Sequence, residues 1–300
     1  MALDTAVEVV YRTTRDEYSS LCRFQGGPEP NAFLVAAEGS HMRLTFLGTG
    51  AAMPTGDRFQ TGLLLESGED RLLVDCGSGV LHGLARTPVG YEGVDTVLLS
   101  HHHLDHVSDL PVLMKARWLA GETDLTIAGP PGTRELVEGL LDVHEYMQDQ
   151  LDLTLREVDP GAFTLSGFDV AAMETRHSMY CLAYRFTPAA VEDGATDDAV
   201  PTVTFSADTE AFEELVAFAD GSAVFVHDCS FPDEVDVDNH PTPSILGETL
   251  TAADADLGRV YLTHRYPHTD GRHEEMLDSL GEHYDGDVRF ASDGLSVDVS

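Results

Sequence analysis

Lysine is almost absent from this chain: Lys115 is the only one in 300 residues, and every other basic residue is an arginine. Basic charge as a whole is scarce, with 17 Lys and Arg against 53 Asp and Glu and a formal net charge of −36. Such a surface repels polyphosphate, which excludes a chain that coats nucleic acid by bulk charge attraction. It leaves room for an enzyme with a local arginine patch. An acidic, nearly lysine-free composition resembles that of cytosolic proteins of extreme halophiles. There, molar salt shortens the Debye length to about 3 Å and screens self-repulsion. Plain solubility is the alternative source of the acidity.

Cysteine is also sparse. Cys22, Cys76, Cys181 and Cys229 stand far apart with no C-x-x-C pair, which argues against a disulfide framework or a zinc knuckle. No apolar run approaches the ~20 residues of a membrane span. Asp4 and Glu8 fall where a signal peptide would carry its apolar core, so a cytoplasmic protein without membrane contact is expected. What the chain does have is 42% hydrophobic residues, ordinary for a globule able to bury a sizeable core.

The first strong fold signal starts at Met42 with MRLTFLGTG. Residues 1–41 are polar and charged and include Gly26-Gly27-Pro28-Glu29-Pro30; Gly39-Ser40-His41 before Met42 matches the scar of a cleaved purification tag, with a natural extension or a start codon placed too early as the alternatives. The expected division is therefore 1–41 as an added or N-terminal segment and 42–300 as the working domain. Strands are predicted at 43–47, 62–66, 71–75, 94–99, 168–174, 180–186, 202–206, 223–227 and 259–263. Helices are predicted at 107–119, 133–147, 210–219 and 243–253. Residues 188–200 (PAAVEDGATDDAV) read as a solvated acidic loop. Strands interleaved with helices give an α/β fold with helices outside the sheets.

One segment carries chemistry: VDTVLLSHHHLDHVSDLPVL, 94–113. A buried strand runs into four histidines and an aspartate within 101–106. Imidazole and carboxylate suit Zn²⁺ and similar borderline ions. In extended chain His101 and His103 share a side and can bind one ion, while His102 points the other way. Asp105 and His106, on the turn into a helix, aim elsewhere and can bind a second ion.

Here the chain resembles the metallo-β-lactamase superfamily, in its ribonuclease Z-like phosphodiesterase branch. The motifs run in the family's order: LGTGAAMPTGDR (47–58), LLVDCGSG (72–79), SHHHLDH (100–106), ETRHSMYCLAYRF (174–186), FSADT (205–209) and YLTHRY (261–266). The resemblance implies an αββα sandwich, two mixed β-sheets face to face with helices outside. It implies two metal ions, zinc by default, with manganese or iron left open by ligand type. His101, His103 and His177 would hold the first ion, Asp105, His106 and His264 the second, and Asp208 would bridge. A water between two such cations loses a proton near neutral pH and becomes the nucleophile; Asp105 would orient or deprotonate it. VFVHDCSF (224–231) and NHPTP (239–243) resemble the family's proton-donor segments, which makes His240 the general acid, with Asp228 where the family has Glu. His227 reads as a structural strand-end histidine.

The same resemblance bears on substrate. Transfer-RNA-processing members grip RNA with an arm inserted between the residues matching His177 and Asp208. Here that interval must hold two strands and the acidic loop, which leaves no room for an arm. A small phosphodiester or an RNA end is the expected substrate. The alternative keeps the site and changes the bond, to a thioester, lactone, lactam or sulfate ester. A homodimer is carried over as an expectation from the family.

Overall fold

A computed structural model describes residues 42–189, 200–235 and 237–299. The expectation for 1–41, and most of that for the acidic loop, lies outside the described residues. Two seven-stranded mixed sheets form the centre. The first contains β1 (Met42–Gly48), β2 (Gly62–Ser67), β3 (Asp70–Val74), β4 (Thr96–Leu98), β5 (Asp124–Gly129) and β6 (Asp152–Glu157). The second contains β7 (Gly161–Leu165), β8 (Phe168–Glu174), β9 (Leu182–Pro188), β10 (Val203–Phe205), β11 (Val224–Asp228), β12 (Arg259–Thr263) and β13 (Asp287–Phe290). The chain then crosses back, and β14 (Ser296–Val299) pairs antiparallel with β1. Strand order is β14-β1-β2-β3-β4-β5-β6 in one sheet and β13-β12-β11-β10-β9-β8-β7 in the other.

The strands carry apolar residues on both faces because both faces are covered. In β2 and β3, Leu63, Leu65, Leu72 and Val74 face the second sheet, while Leu64 and Leu73 face helices. The central layer joins Leu44 and Phe46 to Phe168, Tyr184, Phe186 and Phe205. Outside the first sheet lie α1 (Val80–Leu84), α2 (Leu104–Val107), α3 (Leu110–Ala120) and α4 (Thr133–Val143). Outside the second lie α5 (Glu213–Phe218), α6 (Pro243–Ala253) and α7 (His273–Gly281), packed through Leu215, Leu246, Leu250, Met276 and Leu280. This is the expected αββα sandwich. No helix among the described residues is long and apolar enough to cross a membrane.

Three expectations need correction. The helix predicted at 107–119 is two helices, α2 and α3. Pro111 has no N–H to give the Val107 carbonyl, so the ladder breaks there. Asp109, in the gap, accepts from the backbone of Gly79 (2.9 Å) and Leu81 (3.0 Å) and caps α1 instead. The helix predicted at 133–147 stops at Val143 and continues as one 3₁₀ turn, Glu145–Met147. The helix predicted from 210 starts only at Glu213, with Phe212 at its N-cap.

The parallel runs β3–β6 and β10–β13 put their C-terminal ends on one rim. Loops leaving that rim are where α/β folds collect chemistry. Two bonds join the sheets there: the Tyr184 hydroxyl donates to the Leu99 carbonyl (2.8 Å), and the Leu182 N–H to the Ser100 carbonyl (3.0 Å).

Candidate metal centre

The rim gathers every residue that the sequence singled out. His101 and His103 leave the end of β4, and α2 carries Asp105 and His106. His177 sits in the turn between β8 and β9, Asp208 follows β10, and His264 follows β12. His101 Nε2 lies 3.0 Å from His103 Nδ1, and His177 Nε2 lies 3.1 Å from the same Nδ1. Asp208 Oδ2 is 3.7 Å from His101 Nε2 and 3.9 Å from His177 Nε2. These four atoms form one set.

A second set lies against it. His264 Nε2 is 3.1 Å from Asp105 Oδ2 and 3.1 Å from Asp208 Oδ2. His106 Nε2 is 3.3 Å from Asp208 Oδ1 and 3.7 Å from Asp105 Oδ2. Asp208 thus presents a carboxylate to both sets. Ligands about 2.0–2.1 Å from a tetrahedral ion stand about 3.3–3.4 Å from one another, so both sets have cation-sized spacing. His106 Nε2 is buried without a well-aligned hydrogen bond, as a metal-facing nitrogen would be.

Around the two sets runs a layer of hydrogen bonds that fixes ring orientation. Asp75, fully buried after β3, accepts from His106 Nδ1 (2.8 Å), the Ser100 N–H (2.7 Å) and the Ser100 hydroxyl (2.7 Å). Ser100 Oγ in turn accepts from His101 Nδ1 (3.0 Å). On the other sheet, Ser230 Oγ accepts from His264 Nδ1 (2.9 Å) and donates to Asp228 Oδ1 (2.6 Å). Asp228 Oδ2 accepts from His240 Nδ1 (2.7 Å). The motif glycines serve this packing: a Cβ on Gly77 would stand 2.0 Å from the Asp105 carbonyl oxygen, so any side chain there would push α2 away.

The surroundings set the charges. Burial would raise the Asp208 carboxyl, but His264 and His106 hold it well below the usual carboxylate range. Burial would lower His106, but Asp208 and Asp75 hold it well above the ordinary histidine range. Burial, with His106 adding, pushes His101 well down. A cation arriving at the second set must therefore displace a firmly held proton. Zn²⁺ affinity is expected to be about tenfold or more weaker at pH 6 than at pH 8, because the raised pKa lets protons compete harder as pH falls. Competition with a chromophoric chelator reads it; a flat affinity would mean that His106 holds no such proton.

His102 lies apart, its Nε2 2.8 Å from Thr133 Oγ1. His227 is buried and its Nδ1 donates to the Asp228 carbonyl (2.7 Å), a structural place as expected. Asp75, Ser100 and Ser230 were not singled out in the sequence. All three lie in the motif segments: Asp75 inside LLVDCGSG, Ser100 immediately before His101 and Ser230 inside VFVHDCSF. Cys76, Cys181 and Cys229 are buried free thiols.

Residues 42–275 match a family described as Anti-Pycsar protein Apyc1. The ribonuclease Z of Haloferax volcanii is 30% identical, over 86% of this chain and 95% of its own length. The chain belongs to this family of ribonuclease Z-type metallo-hydrolases. The crystal structure of the metallo-β-lactamase fold protein YhfI from Bacillus subtilis superposes with a TM-score of 0.72 at 26% identity, covering 86% of this chain and 99% of that one. Human tRNase Z, short form (ELAC1), shares the fold, with a TM-score of 0.68 at 18% identity over 86% of this chain and 99% of its own. Membership makes the chain a metal-dependent hydrolase of the ribonuclease Z type, and the histidine–aspartate sets are suited to divalent metal.

Proposed function

We propose that the protein is a dinuclear-metal phosphodiesterase acting on a small substrate, with His240 as proton donor to the departing oxygen. His101, His103 and His177 would hold one ion and Asp105, His106 and His264 the other, with the Asp208 carboxylate shared between the two sets. Zinc is the expected metal; the donor set also accommodates manganese or iron. When bound, such ions bring the ionisation of water near neutral pH and neutralise charge growing on the attacked phosphoryl oxygens.

The chain's own residues do the rest. Asp105, beside His264, orients the attacking water. His240 lines the same cavity of about 390 Å³ as His103, Asp105, His177 and Asp208. Burial opposes charge on the imidazole, but the hydrogen-bonded Asp228 carboxylate outweighs it and lifts the pKa to about 9. Without metal, His240 is therefore an imidazolium at neutral pH, with a proton to give. This donor beside the two ligand sets is the observation that carries the reading. Phosphodiesters with alkoxide leaving groups need an acid, whereas activated esters do not.

The short path from His177 to Asp208, occupied by β9 and β10 outside the undescribed 190–199, supports a small phosphodiester over transfer RNA. In His240→Ala, kcat/KM on a diester with an alkoxide leaving group is expected to fall by about 10²-fold or more, and on bis(p-nitrophenyl) phosphate by less than about tenfold. Equal losses on both would remove His240 as the proton donor, and turnover of neither diester by the unaltered protein would favour a thioester, lactone, lactam or sulfate ester. In the metal-free protein the His240 ring is expected to titrate near pH 9 by NMR, and lower once cations repel the imidazolium. A midpoint unmoved by metal would place the ions elsewhere.

A further inference from the structure

The cavity at the metal centre has an unusual charge inventory for a site that handles phosphate. Beyond the ligand sets and His240, the residues lining it are Ala52, Leu104, Ser178, Val237, Asn239, Tyr266 and one charged group, Asp238. No lysine or arginine among the described residues lines it. The two arginines next to site histidines are committed elsewhere. Arg176 pairs with Glu214 (3.3 Å) and lies 4.2 Å from the Phe212 ring centroid. Arg265 is buried, bonded to Thr49 Oγ1 (2.9 Å) and His273 Nε2 (3.1 Å).

Asp238 is exposed and has no ion-pair or hydrogen-bond partner among the described residues. It is carried two residues before His240, on the loop that forms one wall of the cavity. Opposite the loop, Leu104 stands between the site residues His103 and Asp105 with 78% of its surface exposed. Val237, also exposed, adds a second apolar face. Among the described residues, the cavity lining offers an incoming anion only the His240 imidazole and whatever cations the ligand sets would hold. A second phosphate on the same molecule would find no further cation among the described residues: only the neutral donors Ser178, Asn239 and Tyr266, the aliphatic side chains and the opposing Asp238 carboxylate.

We infer that the cavity selects phosphodiesters carrying a single negative charge between neutral organic groups, and that Asp238 is the specificity-determining residue that turns away a second phosphate. This rests on the phosphodiesterase reading above and narrows it. Asp238 acts on binding by like-charge repulsion, so the penalty falls on KM more than on kcat. Leu104 and Val237 supply the apolar contact that a neutral group gains and a phosphate does not.

The test uses the metal-loaded full chain and two esters with the same leaving group: thymidine 5′-(p-nitrophenyl phosphate) and its 3′-phosphorylated counterpart. The 3′-phosphorylated ester is expected to show about tenfold or lower kcat/KM, mainly through KM. In Asp238→Arg the gap is expected to close to within about threefold, and in Asp238→Asn to an intermediate value. Equal turnover of the two esters by the unaltered protein, or a gap that Asp238→Arg leaves in place, overturns the inference and leaves the phosphodiesterase reading standing. Turnover of neither ester, nor of bis(p-nitrophenyl) phosphate, overturns both.

Discussion

Asp208→Ala is expected to yield a folded protein that has lost metal from both ligand sets and about three orders of magnitude or more in kcat/KM. The size follows from the chemistry: metal ions supply several kcal/mol of transition-state stabilisation, and each ~1.4 kcal/mol is a factor of ten. The breadth of the loss follows from geometry. Asp208 Oδ2 faces His101, His177 and His264, and Oδ1 faces His106. Asp105→Ala should behave differently, because Asp105 touches only the second set. Elemental analysis should find close to no metal in Asp208→Ala and about half the native content in Asp105→Ala. Equal metal content in the two variants would overturn the proposed bridging role of Asp208.

The next largest effect is expected at a residue that no cation touches. Asp75→Asn should lower metal affinity by about 10–100-fold, the usual cost of disturbing a carboxylate behind a ligating histidine. Asp75 reaches both ligand sets, His106 directly and His101 through Ser100. The amide keeps the volume but places an NH₂ against the Ser100 N–H or against His106 Nδ1–H, so two donors meet. The variant should therefore lose thermal stability even without metal, since the group is fully buried. Ser100→Ala should weaken the first set more than the second. A native metal affinity in Asp75→Asn would show that the rings are held by packing alone.

The site was legible in the sequence where its residues are close along the chain. His101, His103, Asp105 and His106 fall within six positions, and strand periodicity already separates the pair His101/His103 from His102. Asp208 and His264 were legible only because each follows an apolar strand in family order. Asp75 and Ser230 lie inside family-like motifs, but their roles were not legible, because their partners cannot be inferred from spacing: the Asp75 bonds span 25 and 31 residues. The fold divides in the same way. β8 and β12 fall where predicted, because FDVAAME and RVYLT are bounded by turn residues and carry enough apolar character. β5, β6, β7, β13 and β14 were not predicted. DLTLRE, DVRF and SVDV mix charge with apolar residues and become strands only through neighbours elsewhere in the chain. α7 went unseen for the same reason, with only Met276 and Leu280 fully buried on its inner stripe.

The return of β14 to pair with β1 has a consequence for biosynthesis. Met42 pairs with Ser67 of β2 on one side, but on its other side the antiparallel partner is Val299, so that edge of the first sheet stays open until β14 has been made. His264, from the second sheet, is likewise translated long after His101. A nascent chain still on the ribosome thus holds half a chelator. The ligand set that contains His264 is completed only after β12, whereas His101, His103, His177 and Asp208 all come from chain made earlier.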